Sequence, residues 1–190
     1  MNYMRETLVE LGIIVKSVRA GDYDARLCLF TAGGKKWYQI KGVYRPKAKL
    51  AAGIGLFTVA EFTISGTTIT GINVLVAPYG LTKEINRYYL ACSFADALFN
   101  LEFVEQAPQA LVCAVKVYTR LATTNESCYP IFIDFYTQIY HLLGYEMAIK
   151  YQPTTLTHQQ GKALVKEIIG AYLAKVDYAI QFCDMMYLNA

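Results

Sequence analysis

The chain has 190 residues, of which 55% are hydrophobic and 17% charged. That length can bury one sizeable core or two small ones, and that composition excludes a disordered chain. No window approaches the ~18 to 20 uninterrupted apolar residues of a membrane span, and the first ten residues carry acids where a signal peptide would carry an apolar core, so a cytoplasmic protein with no membrane partner is expected.

The formal net charge of +3 is unevenly spread. Residues 1–60 hold ten Lys or Arg against four Asp or Glu, a balance of +6, and residues 61–190 hold eight against eleven, or −3. Mean hydropathy is +0.26, greasier than an ordinary soluble domain, which leaves apolar surface for a partner. The five cysteines, Cys28, Cys92, Cys113, Cys128 and Cys183, are odd in number, widely spaced and free of any CxxC. Reduced core thiols are expected in place of disulfides or a zinc site.

Residues 8–18 mix alternation with an apolar run, as in a strand whose middle is buried on both sides. Ala20-Gly21-Asp22 is a turn, and residues 23–31 alternate as a second strand. Ala32-Gly33-Gly34 turns into a third, residues 35–41, whose period of two sends Lys35, Trp37, Gln39 and Lys41 to one face and Lys36, Tyr38 and Ile40 to the other. A basic connection over residues 42–55 follows. Residues 56–65 and 67–76 form a hairpin about Gly66. Five short strands of this kind fit a small Greek-key barrel of the OB type better than a seven-stranded sandwich.

At Pro78-Tyr79-Gly80 the period changes from two to 3.6. Leu81, Ile85, Tyr88, Cys92, Ala95 and Phe99 mark a first helix with Thr82 as its cap. Pro108 opens a second, carrying Leu111, Val112, Val115, Tyr118 and Leu121. After a break over residues 125–130, Ile131, Phe135, Ile139 and Leu142 mark a third, stopped by Gly144. Thr157 and Gln160 form a capping box for a fourth helix, with Leu164, Ile168, Tyr172, Val176 and Ile180 on its stripe. The expected fold is therefore α+β: a five-stranded OB-fold barrel over residues 1–79, then an all-α domain over residues 80–190.

Functional chemistry concentrates between the third and fourth strands. Lys35, Lys36, Lys41, Arg45, Lys47 and Lys49 surround Trp37 and Tyr44, with no acid before Glu61. Lysines are common in exposed loops and guard sheet edges, but cations interleaved with flat rings suit phosphates and stacked bases. Enzymatic signatures are scarce. His141 and His158 lack ligand-spaced partners and suit core or capping roles, Gly53-x-Gly55 falls short of a dinucleotide fingerprint, and no nucleophile elbow or phosphate loop occurs. The residues give an enzyme no support, a reading that only a pocket setting His141 or His158 beside an ionised carboxylate would revive, and no cofactor is expected.

Several short motifs in order carry a family resemblance. They are Gly12-Ile13-Ile14-Val15-Lys16, Tyr23-Asp24 entering a strand that ends Leu29-Phe30-Thr31, Lys41-Gly42 followed by Arg45-Pro46-Lys47, Leu56-Phe57, and Phe135 and Ile139 running to Leu142-Leu143-Gly144-Tyr145. Together they resemble the DNA repair protein RecO family, bacterial recombination mediators. The resemblance implies an OB-fold followed by helices, binding of single- and double-stranded DNA, and annealing of complementary strands. It also implies contact with the C-terminal tail of single-stranded-DNA-binding protein (SSB) and cooperation with RecR in loading recombinase. Lys41, Arg45, Lys47 and Lys49 match the family's basic segment. Many members carry zinc-binding cysteines soon after Leu-Gly-Tyr; this chain has none there, so zinc is not expected. The acidic SSB tail needs a cation beside an apolar pocket, for which Lys116, Arg120, Lys162 and Lys166 are candidates, although helix-end or solvated roles suit them equally. The competing reading is a helical protein-interaction scaffold with a structural barrel and incidental DNA contact.

Overall fold

The computed structural model describes residues 7–123 and 128–144. Five strands, β1 (Thr7–Ala20), β2 (Asp24–Thr31), β3 (Gly34–Ile40), β4 (Val59–Ser65) and β5 (Thr68–Val76), precede three helices, α1 (Ile85–Asn100), α2 (Ala107–Thr123) and α3 (Cys128–Leu142). The strands form a closed barrel in the order β1-β2-β3-β5-β4.

Closure follows from the length of β1. Its first half pairs with β4, from Thr7 opposite Ser65 to Ile13 opposite Val59. Its second half pairs with β2, and an irregularity between Ile14 and Lys16 lets the strand bend from one neighbour to the other. The opposite seam is slight: β3 and β5 meet in parallel at Gln39 and Thr68, and Gln39 N donates to Thr67 O at 2.8 Å. Gly21, Gly34 and Gly66 each take positive φ in the turns where the sequence requires it.

Gly12, Ile13, Ile14 and Val15 are all buried, which confirms the doubly covered middle of β1. Ile14 joins Leu27, Leu29, Tyr38, Ile40, Ala60, Phe62 and Ile64 inside the barrel. Ile13, Val15, Cys28, Phe30, Phe57 and Val59 instead face the helices, in one cluster with Phe94, Leu98, Phe103, Leu111, Tyr118 and Phe135. Burying each such large side chain contributes about 1.5–3 kcal/mol. The rings of Phe94 and Phe135, with centroids 4.1 Å apart, sit at the middle of the helical layer.

The connection over residues 41–58 does more than link strands. Val43, Leu50, Ile54 and Leu56 pack onto the barrel interior, around a 3-10 turn at Ala51–Gly53. β4 starts at Val59, three residues later than the apolar run suggests. Phe57 takes φ 68 and its ring stacks on Tyr118 at 5.9 Å, so this residue pins the barrel to the helices and does not extend the strand.

Helix starts also differ from expectation. Thr82 does not cap α1; it lies within a 3-10 segment, Pro78–Lys83, and Glu84 stands at the N-cap without a side-chain cap bond. Arg87, only 5% exposed, joins the two pieces: its Nε meets Glu84 Oε2 at 3.0 Å and its Nη1 donates to Leu121 O at 2.9 Å. α3 starts at Cys128, earlier than expected, with Pro130 tolerated in its first turn. Gly144, at φ +78, stops α3 by donating to His141 O at 3.0 Å. His141 itself is exposed, which removes the core alternative for it. Cys28, Cys92 and Cys113 are free thiols. No described helix is long and apolar enough to cross a membrane. The expected fourth helix lies outside the described residues.

Candidate nucleic-acid interface

The alternation of β3 holds. Tyr38 and Ile40 point into the barrel, Trp37, Gln39 and Lys41 are exposed on the outer face, and Lys35 is half-buried there. Lys36 is exposed near the turn that starts the strand. The neighbouring strand divides this outer face in two. Cys28, opposite Trp37, and Phe30, opposite Lys35, lie buried under the helices, whereas Arg26, opposite Gln39, is open.

Lys35 belongs to the covered half. Its Nζ donates to Phe99 O at 2.9 Å and to Glu102 Oε1 at 2.8 Å, so it closes the C-terminal end of α1, where carbonyls lack helical partners. Trp37 stands at the border. The indole meets Phe99 edge-on at 6.3 Å, and the Arg26 guanidinium lies 5.3 Å from its ring centroid. Lys16 Nζ lies 4.5 Å from the centroid of Phe99.

The second group of cations occupies the end of the barrel where the turn after β1 meets the connection after β3. Lys41, Tyr44, Arg45, Lys47 and Lys49 are all exposed. Their backbone is held against the turn: Gly42 N donates to Asp24 Oδ1 at 2.7 Å, and Tyr44 N to Tyr23 O at 2.9 Å. Gly42 takes φ +66 and lies beneath Arg45, whose Cδ would sit 3.4 Å from an added Cβ. The Arg45 guanidinium stands 5.4 Å from the Tyr23 centroid and the Arg19 guanidinium 5.3 Å from that of Tyr44. Arg19 is fixed in turn by Gly21 O at 3.2 Å and Asp22 O at 2.8 Å.

The eight residues singled out from sequence thus fall into two places: Lys35, Lys36 and Trp37 along β3, and Tyr44, Arg45, Lys47 and Lys49 at the barrel end, with Lys41 between them. Sequence reasoning missed Lys16 and Arg26, which strand pairing brings beside them, and Arg19 and Tyr23, which the contact between the turn after β1 and the connection after β3 brings to Tyr44 and Arg45. The signal was the antiparallel register, which sets Arg26 across from Gln39.

Burial decides the titration of the nearby groups. Burial pushes the Cys28 thiol up to about 11 against the opposing pull of Lys35 and Lys16. It pushes the Tyr38 phenol up to about 12, reinforced by Glu10, whose carboxylate accepts its hydroxyl at 3.2 Å. Neither group is a nucleophile near neutral pH. Among the described residues no three His, Cys, Asp or Glu side chains group as metal ligands.

On α2, Lys116 is exposed one turn after Val112, which is also exposed, and Arg120 Nη1 pairs with Asp134 Oδ2 at 2.8 Å. Lys162 and Lys166 lie outside the described residues, as does the segment where zinc ligands would fall.

The architecture defines an α+β protein, a five-stranded barrel walled on one side by helices, with exposed cations and aromatic rings at one end of the barrel. No protein-family model matches the chain. The chain is similar to the protein named DNA repair protein RecO from Acetivibrio thermocellus, with 26% identity over 151 residues, covering 76% of this chain and 59% of that protein. The likeness to RecO read from the short motifs is therefore also found across most of the chain.

Proposed function

We propose that this protein is a non-catalytic nucleic-acid-binding mediator acting in DNA recombination and repair. One observation carries the proposal: Lys41, Arg45, Lys47 and Lys49 stand exposed along a single connection at one end of the barrel, interleaved with the open ring of Tyr44 and braced against Arg19 and Tyr23. Such a rim attracts phosphates and offers flat surfaces to bases. Similarity to a RecO protein supports the setting in repair.

The barrel is read as an OB-fold, supported by its five strands in the order 1-2-3-5-4 and by a connection after β3 that plugs the interior. Residues 1–79 are assigned to DNA and residues 80–190 to protein partners. Under this reading the protein binds single- and double-stranded DNA, anneals complementary strands, and helps load recombinase together with RecR and SSB. Lys116 beside exposed Val112 on α2 is the described cation best placed to receive the acidic, apolar-ended SSB tail.

Fluorescence anisotropy of a labelled oligonucleotide against salt tests the central claim. Four phosphate contacts on a single strand give a slope of log affinity on log salt of about −2.8, and Lys41→Ala, Lys47→Ala and Lys49→Ala together reduce it to about −0.7. Salt-independent binding, or a triple variant with an unchanged slope, overturns the assignment.

A further inference from the structure

We infer that the barrel end carries a subsite for two adjacent unpaired bases, seated on Tyr23 and Tyr44, distinct in its selectivity from the lysines around it. The inference rests on the proposed nucleic-acid reading and names what that rim distinguishes.

Tyr23 and Tyr44 come from different connections, yet the bond from Tyr44 N to Tyr23 O at 2.9 Å places the two residues side by side. They keep 50% and 40% of their surface open, although each already carries a guanidinium near its ring. The cations hold the rings in place. Arg19 donates twice to the carbonyls of the turn that bears Tyr23 and at the same time covers Tyr44. Arg45, whose backbone N donates to Gly42 O at 3.1 Å, reaches back over Tyr23. Each tyrosine is thus braced by an arginine that follows or precedes the other tyrosine, and the four side chains form one cross-linked unit.

Rings fixed before binding lose little conformational freedom when a base stacks on them. A duplex keeps its bases stacked inside and presents only phosphates, so it gains from Lys41, Lys47 and Lys49 but not from the rings. A single strand gains from both. The arginines add planar guanidinium surface that a lysine ammonium lacks.

The test measures the full chain against a labelled oligothymidylate and a labelled duplex of equal length, each over a salt series. Tyr23→Ala and Tyr44→Ala each weaken single-strand binding about fivefold to a hundredfold, the range for loss of one stacked base, with duplex affinity and both salt slopes unchanged. Tyr44→Phe restores the single-strand affinity, because the ring and not the hydroxyl carries the contact. Arg19→Lys weakens only the single strand, because charge is kept while the brace is lost. Equal weakening on both substrates, or no weakening on either, overturns the subsite while the lysine rim stands. Failure of the parent protein to bind either oligonucleotide overturns the rim and the subsite together.

Discussion

Replacing Gly80 by alanine tests the joint between barrel and helices. A Cβ on Gly80 would lie 2.6 Å from Ala122 O and 3.3 Å from both the C and Cα of Ala122. Ordinary carbon contacts start near 3.4 Å, so the 3-10 segment would have to retreat from α2 by about 0.8 Å. All three atoms are backbone, and no rotamer change relieves them. Retreat also pulls on the neighbouring bond from Arg87 Nη1 to Leu121 O and on buried Leu81. Overpacking of this kind costs about 1–3 kcal/mol. In urea, with a slope of about 2 kcal/mol per molar, the unfolding midpoint should fall by roughly 1 M. Gly33→Ala is the matched control: the one tight approach an added Cβ would make there is to the flexible end of Lys36, at 3.1 Å, with Thr31 Oγ1 at an ordinary 3.7 Å, and the change should shift stability by less than about 0.5 kcal/mol. A Gly80→Ala protein that unfolds at the parent's midpoint, or a Gly33→Ala protein that loses as much, refutes the account of the joint.

Two further outcomes follow from the seam. Burial raises the Cys28 and Cys113 thiols from 9.0 to about 11, so both stay neutral in the fold at pH values where the unfolded chain ionises them. Their contribution is complete below pH about 9 and is lost as pH rises toward about 11, by roughly 3 kcal/mol per thiol; urea midpoints across that window should decline, and Cys28→Val should lessen the decline by well under half, because Cys92, Tyr38, Tyr88, Tyr118 and Tyr136 are also raised in the fold. Glu102→Ala releases Lys35 from its ion pair; because Glu102 is 80% exposed, stability should change by less than about 1 kcal/mol, while the salt slope for single-strand binding steepens by up to about 0.7. An unchanged slope in the anisotropy series would mean that Lys35 stays committed to Phe99 O.

The strands were readable because their apolar residues alternate and because glycines mark the turns at Gly21, Gly34 and Gly66. The outer and inner faces of β3 were readable for the same reason. What the period of two does not reveal is which outer positions a second layer will cover. Cys28 and Phe30 share the outward face with Arg26, and only the packing of the helices separates them. Lys35 and Lys41 look alike in the sequence for this reason, yet one closes a helix and the other meets solvent. The plug was hidden by its own charge: Val43, Leu50, Ile54 and Leu56, spaced 7, 4 and 2 apart, keep no single period and are scattered among the lysines. Phe57 extends an apolar run that propensity assigns to β4, but its contact with Tyr118 outweighs that preference. The Arg19, Tyr23, Tyr44 and Arg45 unit depends on a contact between two connections, which local patterns do not encode.

The wall made by Ile13, Val15, Cys28, Phe30, Phe57 and Val59 has a consequence for how the chain is made. A ribosome releases these residues well before α2 and α3 exist to cover them, so the nascent barrel carries a sticky flank throughout that interval. Its safe maturation depends on the later helices arriving quickly, or on a chaperone shielding the flank until they do.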